Sequence, residues 1–320
     1  MQSQSGSQLS LDLVRFPVDR LVDNSTTDFD VFVRISDHVI LYGASGYKWY
    51  RRELTDLLKN GVLELQIRRD DERKATIYSQ VNSLPEIDRT LPPAQRIVSI
   101  ETIGIEFTKT LFEGEITSAC VDKARTIVDS LLDCIAEDRK CVQALAMLGD
   151  HDYYTYSHSV RVAAFSTVIA MQMGLTNVDQ LREIALGAML HDLGKKDIPL
   201  LLINKTGPLT EEEWKLFRAH PENGHKHMGD ILKSTVPIEI ILHHHEKNDG
   251  SGYPHGLDRS SLLPEVQIAT MADVFDALTS SRSYQNKRSR FEALDFIRHN
   301  LLGVKLSREP FQALVSSLIA

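Results

Sequence analysis

"LREIALGAMLHDLGK" (residues 181–195) decides how the second half of the chain is read. Leu181, Ile184, Ala185, Ala188 and Met189 recur at three- and four-residue steps, which builds one apolar face of an α-helix. His191, Asp192 and Lys195 then fall at the end of that helix, with Gly194 placed as its terminator. Upstream, Val121, Ala124, Ile127, Val128, Leu131, Leu132 and Ile135 repeat the pattern, so the second domain reads as all-α. A carboxylate beside an imidazole at an exposed helix end has a specific chemical use. Asp192 can bridge two cations while His191 binds one of them.

Ten of the twelve histidines lie between residues 151 and 255. His158, His220, His244 and His245, with Asp273, each sit in a predicted helix or at its end, and they join His191 and Asp192 as candidate metal ligands. One histidine alone is more often a satisfied core or surface group than a ligand; here order and spacing reverse that reading. Imidazole nitrogen and carboxylate oxygen together suit Mn, Fe, Ni or Zn. Cys120, Cys134 and Cys141 form no C-x-x-C pair, so neither a structural zinc site nor a disulfide framework is expected, which favours a reducing cytoplasm.

"HHHEKNDGSGYP" (243–254) places two of the candidate ligands beside a loop whose glycines permit positive φ and close approach to phosphate. Tyr253 has two readings, a group that hydrogen-bonds or stacks on a ligand and the aromatic anchor of a rigid turn. Glu246 reads as an orienting partner of a ligand imidazole or as a solvent-facing carboxylate. His243 falls outside the ligand set.

The first half of the chain is of another kind. Residues 1–10 form a polar leader expected to be disordered, and residues 11–85 a small α+β domain. Within it "FDVFVRISDHVILYG" (29–43) reads as two strands around Ser36 and Asp37, "YKWYRRELTDLLKNG" (47–61) as a helix closed by Gly61, and "VLELQI" (62–67) as another strand. A further helix runs from about Ala75 to Val81. Residues 86–119, punctuated by Pro92 and Pro93, are assigned to a linker and connecting helix, and residues 120–320 to the helical domain.

With 320 residues, 42% hydrophobic content and a net charge of -8, the composition fits a soluble globular protein and argues against a grip on long nucleic acid, which needs an excess of Lys and Arg. A small anionic ligand is compatible with that charge. The start lacks a basic segment leading into an apolar run, and no stretch approaches the roughly 18 apolar residues of a span, so no membrane insertion and a cytoplasmic location are expected.

Through "HSVRVA" (158–163), "LHDLGK" (190–195), "IPLLLINKTGPLTEEEW" (198–214), "HPENG" (220–224), "HHEKNDGSGYPHGL" (244–257) and "IATMADVFDALTSSRSY" (268–284), the sequence resembles the HD-GYP phosphodiesterases over roughly residues 120 to 315. The resemblance implies an all-α helical bundle around a buried bimetallic centre, following the small α+β domain. It implies His158, His191, Asp192, His220, His244, His245 and Asp273 as ligands and Lys195 as the lysine of the family's HDxGK pattern. Trimetallic members are similar but carry a carboxylate four residues before the first histidine; this chain has Tyr154 there, so two divalent ions are expected, Fe or Mn first, with Ni, Zn or Co as alternatives.

The family's usual substrate is the cyclic dinucleotide cyclic di-GMP. The implied reaction is attack on phosphorus by a hydroxide shared between two cations roughly 3.5 to 4 Å apart, with Asp192 bridging and Lys195 neutralising phosphate charge, to give pGpG, which some family members cleave a second time to GMP. Lys195, Tyr253 and Arg282 are the expected substrate contacts. Where family members carry Arg-Trp after HHE and a basic residue closing RPYR, this chain has Lys247, Asn248 and Gln285. Those departures keep two alternatives open: a metal-loaded, catalytically weak sensor of cyclic dinucleotides, and an HD-type hydrolase of another phosphorylated nucleotide. The small N-terminal domain is read as a regulatory or interaction domain, with a homodimer or a signalling-protein partner as the two contacts it could make.

Overall fold

The computed structural model describes residues 11–145, 154–203, 205, 207–280 and 287–319, with only the backbone of Tyr154 and Thr155. The chain divides into two compact units, residues 11–83 with 117–122, and residues 84–116 with 123–319.

The first unit contains β1 (Leu13–Pro17), β2 (Thr26–Thr27), β3 (Val31–Ile35), β4 (His38–Gly43), β5 (Tyr47–Lys48), α1 (Arg51–Lys59), β6 (Glu64–Arg68) and α2 (Glu72–Ser83). Its four-stranded sheet has the order β1-β6-β3-β4 with every neighbouring pair antiparallel, and β2 pairs with β5 separately. In β6, Leu65 and Ile67 are buried while Glu64 and Arg68 are exposed, the period of two expected of a strand with one covered face. The predicted β3–β4 turn is present, with Ser36 in the left-handed region, and Gly61 follows α1 at φ +74. Strand β1 is additional to the predicted pattern. Only Phe16 of its five residues is buried, and the strand is specified by its register against β6. Phe16, Phe29, Trp49 and Tyr78 fill the core between sheet and helices, with the Trp49 indole N–H donating to Thr27 Oγ1 over 3.1 Å.

The second unit contains α3 (Pro93–Glu113), most of α4 (Ser118–Glu137), α5 (Cys141–Leu145), α6 (Tyr154–Gln172), α7 (Val178–Leu190), α8 (Leu200–Ile203), α9 (Glu211–Arg218), α10 (His220–Met228), α11 (Thr235–His243), α12 (Pro264–Thr279), α13 (Arg290–Asn300) and α14 (Arg308–Ile319). Helix α6 is its axis, buried nearly all round from Ser157 to Ala170 and packed against α3, α7, α12 and α14. Helix α3, expected to belong to a connector, is a wall of this unit instead. Pro93 starts the helix at a position whose N–H needs no partner, and Ile97, Ile100, Phe107 and Leu111 are buried.

Asn177 caps α7, its side-chain oxygen accepting from Asp179 and Gln180 N–H at 2.9 and 3.1 Å. The helix ends at Leu190, and the chain continues through a 3-10 turn at Leu193–Asp197. Gly194 does not act as the expected left-handed terminator, since it is not among the positive-φ glycines of this unit. A Cβ there would lie 1.9 Å from the His220 carbonyl oxygen and 2.4 Å from Gly224 N, so the glycine is required for α10 to lie against this turn. Among the described residues no helix is long and apolar enough to cross a membrane.

Candidate metal centre

Five histidines and two aspartates meet at the middle of the helical unit. His158 comes from α6, His191 and Asp192 from the end of α7, His220 from the first position of α10, His244 and His245 from the residues after α11, and Asp273 from α12. They fall into two groups whose ligand atoms lie within 4.8 Å of one another, Asp192 with His220, His244 and His245, and Asp273 with His158 and His191. All seven residues singled out in the sequence are thus gathered in one place.

Asp192 touches both groups. Its Oδ1 lies 3.3 Å from His220 Nε2 and 3.7 Å from His244 Nε2, while Oδ2 lies 3.4 Å from His191 Nε2 and 3.7 Å from His158 Nε2. Lys195 contacts the same Oδ2. Asp273 Oδ1 sits 3.1 Å from His158 Nε2 and 4.0 Å from His191 Nε2.

The outer nitrogens of four rings fix the tautomers. His191 Nδ1 is 2.7 Å from the Ala188 carbonyl, His220 Nδ1 2.8 Å from that of Phe217, and His244 Nδ1 3.0 Å from that of Ile241. A carbonyl only accepts, so each Nδ1 carries the proton, and in the neutral ring Nε2 presents a bare lone pair. His158 Nδ1 donates to Asp276 Oδ2 over 2.7 Å. Four lone pairs therefore converge, and two of them, on His220 and His244, stand 3.2 Å apart.

The electrostatics favour neutral rings at three positions, whereas at His191 burial pulls the imidazole down but the Asp192 carboxylate beside it prevails and pushes it up. Burial holds the His244 and His245 imidazoles well below their usual range and His220 below it, so these rings are neutral. Burial alone would raise the Asp192 carboxyl, but His191 and Lys195 beside it hold it well below the carboxylate range; His158 and His191 do the same for Asp273. His191 Nε2, Asp192 Oδ1 and His245 Nε2 are buried with no hydrogen-bond partner among the described residues. Orphaned polar atoms in a dry interior are costly unless something else satisfies them. Neutral nitrogens and anionic oxygens aimed at common points satisfy divalent cations, and the donor set fits that role.

Behind the cluster lies a layer absent from the sequence reading. Asp276, buried one helical turn after Asp273, also accepts from Arg161 Nε at 2.6 Å, and Arg161 reaches Glu101 of α3 at 3.4 Å. The carboxylate is held at about 2: burial opposes this, and the charge of Arg161 and the hydrogen bond from His158 prevail. Its signal was present in the sequence, since Asp273 and Asp276 share a helix face and so do His158 and Arg161.

Around the loop the two open readings separate. Glu246 is buried and faces neither solvent nor a ligand ring; its carboxylate accepts from the N–H groups of His255 and Leu257 at 2.7 and 3.1 Å, fixing the chain after Pro254. Gly250 is at φ +73, and a Cβ on Gly252 would lie 2.4 Å from Glu246 Cα. Tyr253 packs on the rings of His245 and His220, 4.7 and 6.4 Å between centroids, and burial with the nearby Asp192 and Asp273 charges pushes its phenol far up, so it is a neutral hydroxyl. His243 points away, to Glu239 and His255. His227 pairs with Asp197 at 2.8 Å, outside the cluster. Arg282 and the Tyr154 side chain lie outside the described residues.

A bundle that presents histidines and aspartates from five helical segments to common points defines a helical protein built for divalent cations. A model of the HD domain matches residues 143–302, half of the chain, which belongs to that family as an HD-GYP member. The chain is 36% identical over 172 residues to a cyclic di-GMP phosphodiesterase of Pseudomonas aeruginosa, covering 53% of this chain and 41% of that one. It is 38% identical over 178 residues to a cyclic di-GMP phosphodiesterase of Thermotoga maritima, covering 54% and 47%. It is 33% identical over 195 residues to a 3'3'-cGAMP-specific phosphodiesterase of Vibrio cholerae, covering 59% and 40%. The chain thus spans less than half the length of each of these relatives. An HDG"Y"P protein of Bdellovibrio bacteriovorus shares the fold, with a TM-score of 0.63 at 24% identity over 97% of this chain and 100% of that one.

Proposed function

We propose that this protein hydrolyses a phosphodiester bond of a cyclic dinucleotide, cyclic di-GMP first, at a pair of divalent ions, Fe or Mn. The observation that carries the reading is Asp192, whose two oxygens face different histidines of a cluster in which four Nδ1 protons are committed outward. In this reading His158, His191 and Asp273 would hold one ion and His220, His244 and His245 the other, and Asp192, whose oxygens face both groups, would contribute to each. Such ions, when bound, lower the pKa of coordinated water and stabilise charge on phosphoryl oxygens.

The chain's own groups do the rest. Asp276 keeps the proton on His158 Nδ1, so that Nε2 stays a donor of electrons. Lys195, held on Asp192 Oδ2, places a cation where charge develops on a nonbridging phosphate oxygen. Tyr253, a neutral donor packed on His245, closes one wall against water and offers its hydroxyl to phosphate. The product is the linear dinucleotide pGpG, with GMP following a second cleavage.

Relatives acting on cyclic di-GMP and on 3'3'-cGAMP match this chain at similar identity, which supports the cyclic dinucleotide class and leaves the choice of base to experiment. Lys247 and Asn248, standing where family members carry Arg-Trp, support a second reading, a sensor that binds without turnover, and Asn248 is engaged with Ser307 at 3.1 Å. Anaerobic reconstitution with Mn or Fe followed by chromatographic product analysis separates the two. Linear product supports the phosphodiesterase; micromolar binding with no product under either metal supports the sensor.

A further inference from the structure

A row of stacked groups leads from the candidate metal cluster to the surface, and it contains a cation with no hydrogen bond or ion pair among the described residues. His245 lies under Tyr253, with ring centroids 4.7 Å apart at 33°. The Arg218 guanidinium stands 5.9 Å from the Tyr253 ring centroid and 5.3 Å from that of Trp214. Trp214 is 38% exposed, and Arg218 is exposed as well. Arg218 has no hydrogen bond or ion pair among the described residues, whereas Lys195 is engaged by Asp192.

We propose that Arg218 and Trp214 form a subsite for the half of a cyclic dinucleotide that does not react, an inference that rests on the function proposed above. A cyclic dinucleotide carries two phosphodiesters. If one lies at the cluster, the other needs its charge met nearby, and a guanidinium already aligned by two aromatic faces meets it with a planar pair of N–H donors. The partly exposed indole beside it offers a stacking partner to a purine base, which tolerates guanine or adenine because either base presents a π-face. Arg218 and Trp214 lie one turn apart on α9, whose N-terminus is fixed by a reciprocal Thr210–Glu213 capping box, so the pair is held on a rigid element. The sequence alone did not indicate this pair, because its meaning depends on Tyr253, 35 positions further along, reaching the same place.

Trp214 also reports the test. The chain has two tryptophans, and Trp49 is fully buried in the core of the first unit, giving a constant background. Metal-loaded full-length protein is titrated with cyclic di-GMP, 3'3'-cGAMP and inorganic phosphate while tryptophan emission and turnover are followed. A saturable change with a cyclic dinucleotide but not with phosphate is expected, and it disappears in Trp214→Phe. Arg218→Ala is expected to raise Kd and KM about tenfold with kcat within about twofold and metal content unchanged, and Arg218→Lys to fall between.

Arg218→Ala protein that binds and turns over cyclic dinucleotides like the parent overturns the subsite while leaving the phosphodiesterase reading intact. Binding that depends on Arg218 without any turnover overturns the enzyme and keeps the subsite. No emission change with either dinucleotide overturns the subsite outright.

Discussion

Replacing Asp276 by Asn tests whether the layer behind the cluster sets the metal site. The carboxylate accepts from His158 Nδ1 at 2.7 Å, from Arg161 Nε at 2.6 Å and from Arg161 Nη2 at 3.2 Å. An amide keeps one oxygen and turns the other position into a donor. If the amide nitrogen faces His158, the ring moves its proton to Nε2 and loses the lone pair aimed at Asp192 and Asp273. If it faces Arg161, a buried guanidinium loses an anionic partner, a change that costs about 3–5 kcal/mol when the pair is broken outright. Loss of the outer partner of a ligating histidine lowers metal affinity about 10- to 100-fold, or roughly 1.4–2.8 kcal/mol. Competition with a chromophoric chelator under anaerobic conditions reads the affinity, and urea unfolding of metal-free protein reads the stability. A folded Asp276→Asn protein whose chelator midpoint stays within about twofold of the parent refutes the reasoning.

Other substitutions separate chemistry from packing. Lys195→Ala should cut kcat about 10²- to 10³-fold with metal content retained, as expected for removal of one electrostatic group from a developing charge; unchanged turnover in the metal-loaded variant counts against its role. Gly194→Ala puts a Cβ 1.9 Å from the His220 carbonyl oxygen, so α10 must shift, destabilising the chain by at least about 1–3 kcal/mol and displacing one ligand; parent-like urea midpoint and metal content would contradict the close approach. Acid should also reveal Asp276. Its folded pKa of about 2 lies below the ordinary 3.8, so the unfolded chain takes up the proton first. Roughly 2 kcal/mol of stability is present above about pH 4 and is lost as pH falls through about 2. Metal-free Asp276→Asn should show a shallower loss of urea stability over that interval, and parallel curves would remove Asp276 as the cause.

The metal site was more legible in the sequence than the frame that aims it. His158, His191, Asp192, His220, His244, His245 and Asp273 announce themselves because metal chemistry restricts the donor types and helix ends restrict where they stand. Asp276 and Arg161 carried only a three-residue spacing from a candidate ligand, which is also what an ordinary surface ion pair looks like. Glu246 illustrates the same limit: next to two ligands it reads as their partner, yet its oxygens accept backbone N–H groups nine and eleven residues further on. Helix α3 was read as a connecting helix and not as a wall of the helical unit, since Pro92 and Pro93 punctuate a linker as readily as they open a core helix. Gly194 looked like a terminator because sequence shows a missing side chain but not the His220 carbonyl that fills its place.

Counting transition-metal ions per chain after anaerobic purification, by elemental analysis against quantitative amino-acid analysis, addresses the shared Asp192 most directly. The geometry predicts about two ions per folded chain. A folded, monodisperse sample that retains one ion or none after incubation with excess Fe or Mn contradicts it.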